Sequence, residues 1–268
     1  MGELQSQGCV VTVKDLLRPL PVVRRLSLLR QRAGFHCSAA YWEQNYARGW
    51  TSGPGSYGRL GDAKAAFLNA FVREHGVRSV IEFGCGDGHQ LSLADYPRYA
   101  GLDVSRSAIG LCKRRFAGDA TKSFFLYDGA CFVDRAGRFT ADLAISLDVI
   151  YHLIEDPVFD AYMGHLFAAA ERFVVIYATN SYIRGTAPHV RHRRFTTWVE
   201  AYCPQWRLGQ VTPGPNSGPG RADFFAYERL GGQTADGETA GLADRGHRAG
   251  SHGQPAVRGR LGPGGDSV

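Results

Sequence analysis

Short apolar runs alternate with stretches of helical periodicity along most of this chain. The apolar runs predict strands at 77–83, 100–104, 123–128, 141–148, 172–178, 206–211 and 222–228. Apolar positions that repeat every three or four residues predict helices at 60–74, 107–116, 157–171 and 195–202. Such alternation is typical of a parallel sheet covered by helices. We therefore predict an α/β fold: an open, mostly parallel seven-stranded sheet with helices on both faces and a C-terminal antiparallel hairpin.

The two ends of the chain differ from this middle part, which we place at 39–229. Residues 230–268 are rich in Gly, Ala, Arg and Asp and contain no aromatic residue, so we predict a disordered tail. Residues 1–38 form a basic arm in which Pro19 and Pro21 interrupt an apolar-basic alternation. We expect this arm to be partly helical or loose. It could bind a partner or a membrane surface, or it could pack on the main domain.

Composition narrows the class of protein. The chain has 268 residues and a net charge of +6, carried almost entirely by arginine and spread along the sequence. Nucleic-acid binding is therefore disfavoured, because such proteins concentrate their charge on one face. The six cysteines form no CxxC pair, which favours a reduced, cytoplasmic chain without a zinc site. No apolar run reaches the ~20 residues that a membrane span needs, so we expect no membrane span.

The segment VIEFGCGDG places three glycines directly after a predicted strand, and we expect a helix after them, since a strand, a glycine-rich turn and a helix form a nucleotide-binding junction. A dinucleotide site would read GxGxxG, with phosphates on the following helix. Here Glu82, Gly84, Gly86 and Gly88 give ExGxGxG, which resembles motif I of the class I S-adenosylmethionine-dependent methyltransferases. The resemblance implies a Rossmann-like methyltransferase fold and S-adenosyl-L-methionine as cofactor, with the loop around its methionine and sugar. Cys85 falls inside this loop as a small side chain, without redox chemistry.

Three acids follow the next three predicted strands, at the sheet edge where open α/β folds bind ligands. In the family that the chain resembles, an acid at Asp103, followed here by Val104, binds the ribose hydroxyls. An acid at Asp128 would meet the adenine amino group, and Asp148 lies where motif IV meets the reacting centre. Each of the three acids could instead cap a helix or stabilise a turn.

The expected chemistry needs a proton acceptor more than a metal ion, and the sequence shows no metal triad. Asp148 and His152 are the candidate catalytic residues, although His152 could equally be a core histidine. The segment 41–60 carries aromatic residues and a turn-rich loop, and in related methyltransferases this region covers the cofactor. We expect it to act as a lid, or its aromatic residues to pack a covering helix onto the sheet.

The acceptor site is predicted from a long connection after the fifth strand, TNSYIRGTAPHVRHRRF, which contains no acid. The predicted acceptor-binding residues are Tyr57, Tyr151, His189, Arg191, His192 and Arg194. Arginine suits carboxylate or phosphate groups, so an anionic acceptor is indicated, such as a phosphorylated or nucleotide-linked sugar or an acid-bearing metabolite. The alternative is a solvated basic turn.

The leading function is therefore methyl transfer from S-adenosylmethionine to a small-molecule acceptor. An RNA or protein methyltransferase of the same fold is the main alternative, but LDVIYH replaces the NPPY-like signature that some of them carry after the fourth strand. A non-catalytic S-adenosylmethionine-binding protein stays open. The glycine spacing disfavours a nicotinamide-dependent oxidoreductase.

Overall fold

The computed structural model describes residues 37–183, 187–216 and 220–231. The predicted basic arm and the predicted disordered tail therefore lie almost entirely outside the described residues, as does Arg184. Within the described ranges, no helix has the length and apolar character that a bilayer crossing requires.

Seven strands form a single sheet. They are β1 Val80–Phe83, β2 Tyr99–Asp103, β3 Lys122–Leu126, β4 Ala141–Leu147, β5 Ala170–Ala178, β6 Trp206–Thr212 and β7 Asp223–Arg229. The strand order is β3-β2-β1-β4-β5-β7-β6. Strands β1 to β5 are parallel, whereas β7 runs antiparallel to both β5 and β6. This confirms the predicted sheet and its C-terminal hairpin.

Helices cover both faces of the sheet. The α-helices of the described residues are α1 Ser38–Ala47, α2 Gly58–Glu74, α3 Arg106–Arg115, α4 Asp156–Ala168 and α5 Phe195–Tyr202. Along β4, Leu143 and Ile145 join the apolar cluster that contains Leu68 of α2, while Ala144 joins the cluster that contains Met163 of α4. Alternate residues of a strand point to opposite faces, so the two clusters are the two sides of the core.

Two local expectations need correction. The predicted helix 157–171 ends at Ala168, because Ala170 already pairs with Ala141 at the start of β5. The α-helix expected directly after the glycine-rich turn is a single 3-10 turn, Leu91–Leu93. The turn does not extend into a helix because the Asn69 side chain of α2 donates to the Leu93 carbonyl, and because Pro97 has no backbone N–H to donate.

Candidate functional site

The carboxyl ends of the parallel strands open into one cavity of about 980 Å³, within the size range of small-molecule sites. The predicted site residues that line it are Glu82, Gly84, Cys85, Gly86, Asp103, Val104, Asp128, Asp148, Tyr151, His152 and His189. Those that do not line it are Gly88, Tyr57, Arg191, His192 and Arg194. The structure thus brings together nearly all of the predicted cofactor and catalytic residues, but only part of the predicted acceptor set.

The glycine-rich loop folds across the end of β2. The backbone N–H groups of Gly84 and Cys85 both donate to the Leu102 carbonyl, at 2.7 and 3.1 Å. Gly86 has a φ of 57°, and a Cβ at this position would lie 2.3 Å from the Ser52 Oγ. Glycine is therefore required both by the backbone conformation and by the close approach of the N-terminal segment.

Gly88 does not line the cavity, and its predicted contact with the cofactor stays a prediction. Its φ is 74°, and a Cβ there would lie 3.0 Å from both the Cys112 Sγ and the Phe116 ring. The third glycine thus lets the loop pack closely against α3 and the residue that ends it. Cys85 is buried beside Cys112, and the hydrogen bond between the two thiols, with burial, raises the Cys85 pKa well above its usual value. Cys85 is therefore held as a neutral thiol.

Asp103 is the best-positioned acid of the cavity. Its Oδ2 accepts a hydrogen bond from the Gly86 N–H and its Oδ1 accepts one from the Ser105 N–H, both at 2.9 Å. Burial raises the pKa of Asp103 to about 6, although these backbone hydrogen bonds oppose the shift. Each carboxylate oxygen can accept a further hydrogen bond. The side chain is thus fixed with acceptor capacity left for a ligand.

Glu82 and Asp128 differ sharply in their surroundings. Glu82 is buried, and its carboxylate accepts a hydrogen bond from the Tyr99 hydroxyl at 2.5 Å. Burial raises the pKa of Glu82 to about 7. Asp128 is exposed two residues beyond the end of β3, and its Oδ1 accepts a hydrogen bond from the Ala130 N–H at 3.0 Å. Asp128 therefore both stabilises a turn and lines the cavity.

Asp148 belongs to a buried network that includes a lysine. The Lys64 Nζ lies 2.7 Å from the Asp148 Oδ2, and the Tyr151 hydroxyl donates to Oδ1 at 2.8 Å. Asp148 also has a φ of 61°, a left-handed conformation that aspartate tolerates better than most residues. Because both of its carboxylate oxygens are engaged by a cation and a phenol, Asp148 is suited to positioning Tyr151 more than to accepting a proton.

His152 stands in a wall of aromatic rings, which we call the aromatic wall: Tyr41, Trp42, Tyr151, His152 and His189. The rings of Tyr41 and His189 stack with centroids 4.4 Å apart, and Trp42 meets His152 edge-on at 4.9 Å. The His152 Nδ1 lies 3.0 Å from the His189 carbonyl oxygen. A carbonyl oxygen can only accept, so Nδ1 carries the proton and Nε2 does not. Burial lowers the pKa of His152 to about 4.

The N-terminal segment closes over the glycine-rich loop. The Asp87 Oδ2 accepts hydrogen bonds from the Ser52 N–H at 2.9 Å and from the Tyr57 hydroxyl at 2.7 Å. The Ser52 Oγ in turn accepts from the Asp87 N–H at 3.0 Å, and the Tyr57 ring stacks on His89 at 3.8 Å. Residues 50–56 line the cavity and are held by this contact, which we call the Asp87 clasp.

Of the described residues of the arginine-rich connection, His189 lines the cavity but the arginines do not. Arg191 and Arg193 both form ion pairs with Asp156 at 2.9 Å, and both donate to the Ile154 carbonyl. His192 lies 2.5 Å from the Thr179 hydroxyl. The anion-binding role of Arg191 stays a prediction: Arg191 and Arg193 share the single Asp156 carboxylate, and neither lines the cavity.

Two residues of this site were not anticipated from the sequence. Lys64 was overlooked because a lysine in a helix is usually solvent-exposed. Its spacing in the sequence could have indicated its burial, since Lys64 lies on the same face of the helix as the buried Leu68 and Phe71. Asp87 was overlooked because its partners Ser52 and Tyr57 belong to a distant loop. Within the described residues, no group of three or more His, Cys, Asp and Glu side chains could hold a metal ion.

The sequence matches no protein-family model and no curated protein. Solved structures do resemble it. The N-methyltransferase NodS from Bradyrhizobium japonicum WM9, in complex with S-adenosyl-L-homocysteine, has a TM-score of 0.58 and 17% identity over 73% of this chain and 100% of that chain.

Two further structures give the same picture. Magnesium protoporphyrin IX methyltransferase (ChlM) from Synechocystis PCC 6803, with bound S-adenosylmethionine, has a TM-score of 0.53 and 16% identity over 72% of this chain and 97% of that chain. The methyltransferase domain of bacterial CtHen1 has a TM-score of 0.52 and 22% identity over 64% of this chain and 100% of that chain. Together with the strand order and the ExGxGxG loop, these similarities establish that the chain has the class I S-adenosylmethionine-dependent methyltransferase fold.

Proposed function

We propose that this protein transfers a methyl group from S-adenosyl-L-methionine to a small-molecule acceptor. The observation that carries the proposal is the assembly of one cavity from the motif I loop and from the acids that follow β2, β3 and β4. NodS has been solved in complex with S-adenosyl-L-homocysteine, and ChlM with bound S-adenosylmethionine, and both share the fold of this chain.

The cavity fits this cofactor chemically. Asp103 has one acceptor position left on each oxygen for a pair of ribose hydroxyls, and Gly84 and Gly86 line the cavity together with it. The cavity walls include four carboxyl groups, and no lysine or arginine of the described residues lines it. Such a lining favours a ligand with a positive charge. When bound, S-adenosylmethionine would supply an already activated methyl group.

The residues of the chain would then align the acceptor and exclude water. Lys64 and Asp148 fix the Tyr151 phenol at the cavity wall. His152 is fixed in the tautomer that leaves Nε2 free to accept a hydrogen bond from an acceptor hydroxyl or amine. The Asp87 clasp holds residues 50–56 over the cofactor loop, which would limit solvent access.

The main alternative is an RNA or protein methyltransferase of the same fold. The covered cavity favours a small molecule, because α1 and residues 50–56 contribute to its walls and leave less room for a polymer. A non-catalytic S-adenosylmethionine-binding protein would keep the cofactor site but transfer no methyl group, so an assay for transfer separates it from the other two.

Calorimetric titration of the purified protein with S-adenosylmethionine, S-adenosylhomocysteine and NAD tests the cofactor assignment. We expect the first two to bind and NAD not to bind. Asp103→Ala should weaken S-adenosylmethionine binding about 10- to 100-fold, the scale of a hydrogen bond to a charged group. Asp95→Ala, at an exposed position of the β1–β2 connection, is the matched control and should bind as the wild type does. Unchanged affinity of Asp103→Ala would overturn the ribose assignment.

A further inference from the structure

We propose that the acceptor is an uncharged, planar aromatic molecule with a hydroxyl group, bound against the aromatic wall. This inference rests on the proposed function, since it assigns the acceptor half of the same cavity. It replaces the anionic acceptor indicated by the sequence. It follows from the position of the wall, the geometry of its rings, the charges around it and the hydrogen-bonding atoms of His152.

The position of the aromatic wall follows from the strand order. β1 lies between β2 and β4, so the cavity extends from the motif I loop toward Asp103 and Asp128 on one side and toward Asp148 on the other. If the nucleoside binds beside Asp103, the transferable methyl group lies toward β4. Tyr151 and His152 lie in the 3-10 turn shortly after β4, which places the aromatic wall on the acceptor side.

The rings of the wall are arranged to contact a flat molecule. His152 and His189 are nearly parallel, with an interplanar angle of 18° and centroids 5.5 Å apart. Tyr41 also stacks on His189, with an interplanar angle of 16°, and Tyr151 meets His152 with centroids 4.5 Å apart. All of these residues line the cavity. Offset-stacked and edge-to-face contacts between such rings and a planar ligand are favourable beyond simple apolar burial.

The charge inventory of the wall argues against an anionic acceptor. Lys64 is already paired with Asp148, Arg191 and Arg193 share the Asp156 carboxylate, and none of the three lines the cavity. Burial lowers the pKa of both His152 and His189, so their rings are neutral near pH 7. A carboxylate or phosphate bound here would lose its hydration without gaining a counter-charge from the described residues.

The same inventory argues against a cationic acceptor. Asp148 contacts the wall through the Tyr151 hydroxyl, and its two oxygens are engaged by Lys64 and Tyr151. Its charge is therefore already balanced. Glu43, which follows Trp42, accepts hydrogen bonds from Ser105 and Ser107 instead. A neutral ring is the ligand that the wall can bind without leaving a buried charge unpaired.

A hydroxyl on the ring would use the remaining acceptor atom of His152. Because Nδ1 donates to the His189 carbonyl, Nε2 can accept the hydrogen bond of an acceptor hydroxyl. In the transfer, the acceptor oxygen forms a bond to the methyl carbon as the carbon–sulfur bond breaks, and the electron pair of that bond stays on sulfur. The hydroxyl proton passes to Nε2 and from there to water.

Matched fragments test this inference on the protein saturated with S-adenosylhomocysteine. Ligand-observed NMR would compare 2-naphthol, its carboxylated analogue 3-hydroxy-2-naphthoic acid and the saturated alcohol decahydro-2-naphthol. We expect 2-naphthol to bind at least tenfold more tightly than the other two. Preferential binding of the acid or the saturated alcohol, or no binding of 2-naphthol, would overturn the proposal.

Trp42→Leu tests whether the fragment binds at the wall. It should weaken 2-naphthol binding about tenfold and leave the affinity for S-adenosylmethionine unchanged, which also reports that the variant is folded. Tyr202→Leu, an aromatic position that is 69% exposed, is the matched control and should change neither affinity. Equal binding of 2-naphthol by Trp42→Leu and the wild type would remove the wall from the acceptor site. Failure of S-adenosylmethionine to bind the wild type would instead refute the proposed function itself.

Discussion

The Lys64 ammonium and the Asp148 carboxylate form an ion pair of 2.7 Å between a helix and the end of a central strand. The lysine side chain is only 1% exposed and the aspartate side chain 19%. Lys64 also lies over the Tyr177 ring, 5.4 Å from its centroid. This pair ties α2, which follows the N-terminal segment, to the site after β4.

Removal of one partner of this pair should be costly. Lys64→Met should lower the free energy of unfolding by about 1–3 kcal/mol, because it leaves the partly buried Asp148 carboxylate without its cation. The double variant Lys64→Met/Asp148→Asn should recover much of that loss, since asparagine is uncharged and tolerates the left-handed conformation. Urea denaturation measures both, and the exposed Lys113→Met is the control. A double variant less stable than Lys64→Met would contradict the pairing argument.

Glu82 should make stability depend on pH. Its pKa is raised from 4.5 to about 7 by burial, so the folded state binds this proton more tightly than the unfolded state. The stability contributed by the protonated form is full below pH 4.5 and is lost as the pH rises through 7. Glu82→Gln should therefore gain stability relative to the wild type over this window, by on the order of 1–3 kcal/mol.

The comparison of denaturation curves at several pH values checks this prediction. The difference between the wild type and Glu82→Gln should grow from pH 4.5 to pH 7 and then level off. Glu74→Gln, at the exposed end of α2, should show a flat difference over the same range. A flat difference for Glu82→Gln as well would mean that burial does not hold its proton.

Gly86 should not tolerate a side chain. Gly86→Val would combine a strained φ with an overlap against the Ser52 Oγ, only 2.3 Å from the position of the new Cβ. We expect loss of detectable S-adenosylmethionine binding by calorimetry, because the loop would have to move away from Asp103 and Ser52. Gly118→Val, where a Cβ meets nothing within 4 Å, should bind normally. Normal binding by Gly86→Val would show that the loop can adapt.

The Asp87 clasp should control how fast the cofactor leaves. Asp87→Asn removes the charge from an acid whose pKa is lowered by hydrogen bonds from His89, Ser52 and Tyr57, although burial opposes the shift. With weaker bonds to residues 50–57, we expect the dissociation rate of S-adenosylhomocysteine to rise about tenfold in stopped-flow displacement. Asp95→Asn should leave that rate unchanged. An unaltered rate for Asp87→Asn would show that this segment does not gate the site.

Most of the fold was predictable because strand and helix periodicities are local properties of the sequence. β4 is buried throughout and reads as a continuous apolar run, and the position of Asp103 follows from where β2 ends. The helix expected after the glycine-rich turn was wrong, because the motif suggests a βα junction, whereas the contact of the Leu93 carbonyl with Asn69 of α2 is set by tertiary packing.

The site was predictable only where it follows single strands. The acids after β2, β3 and β4 can be located from the end of each strand, without knowledge of the residues that they contact. Arg191 forms an ion pair with Asp156, and Asp148 forms one with Lys64. The two partners of each pair are far apart in sequence, so each charged side chain looked unpaired when its own segment was considered alone. Pairings between distant segments are set by tertiary packing, which periodicity does not report.

The strand order has a consequence for how the chain is made. β7 lies between β5 and β6, although it is the last of the three to be synthesised. Until residues 223–229 have left the ribosome, β5 presents an open hydrogen-bonding edge next to the fully buried Val174, Val175 and Ile176, and β6 lacks the neighbour that joins it to the sheet. An open apolar edge is a template for pairing between chains. Nascent chains interrupted before β7 should therefore aggregate, because the final strand is the one that seals the sheet.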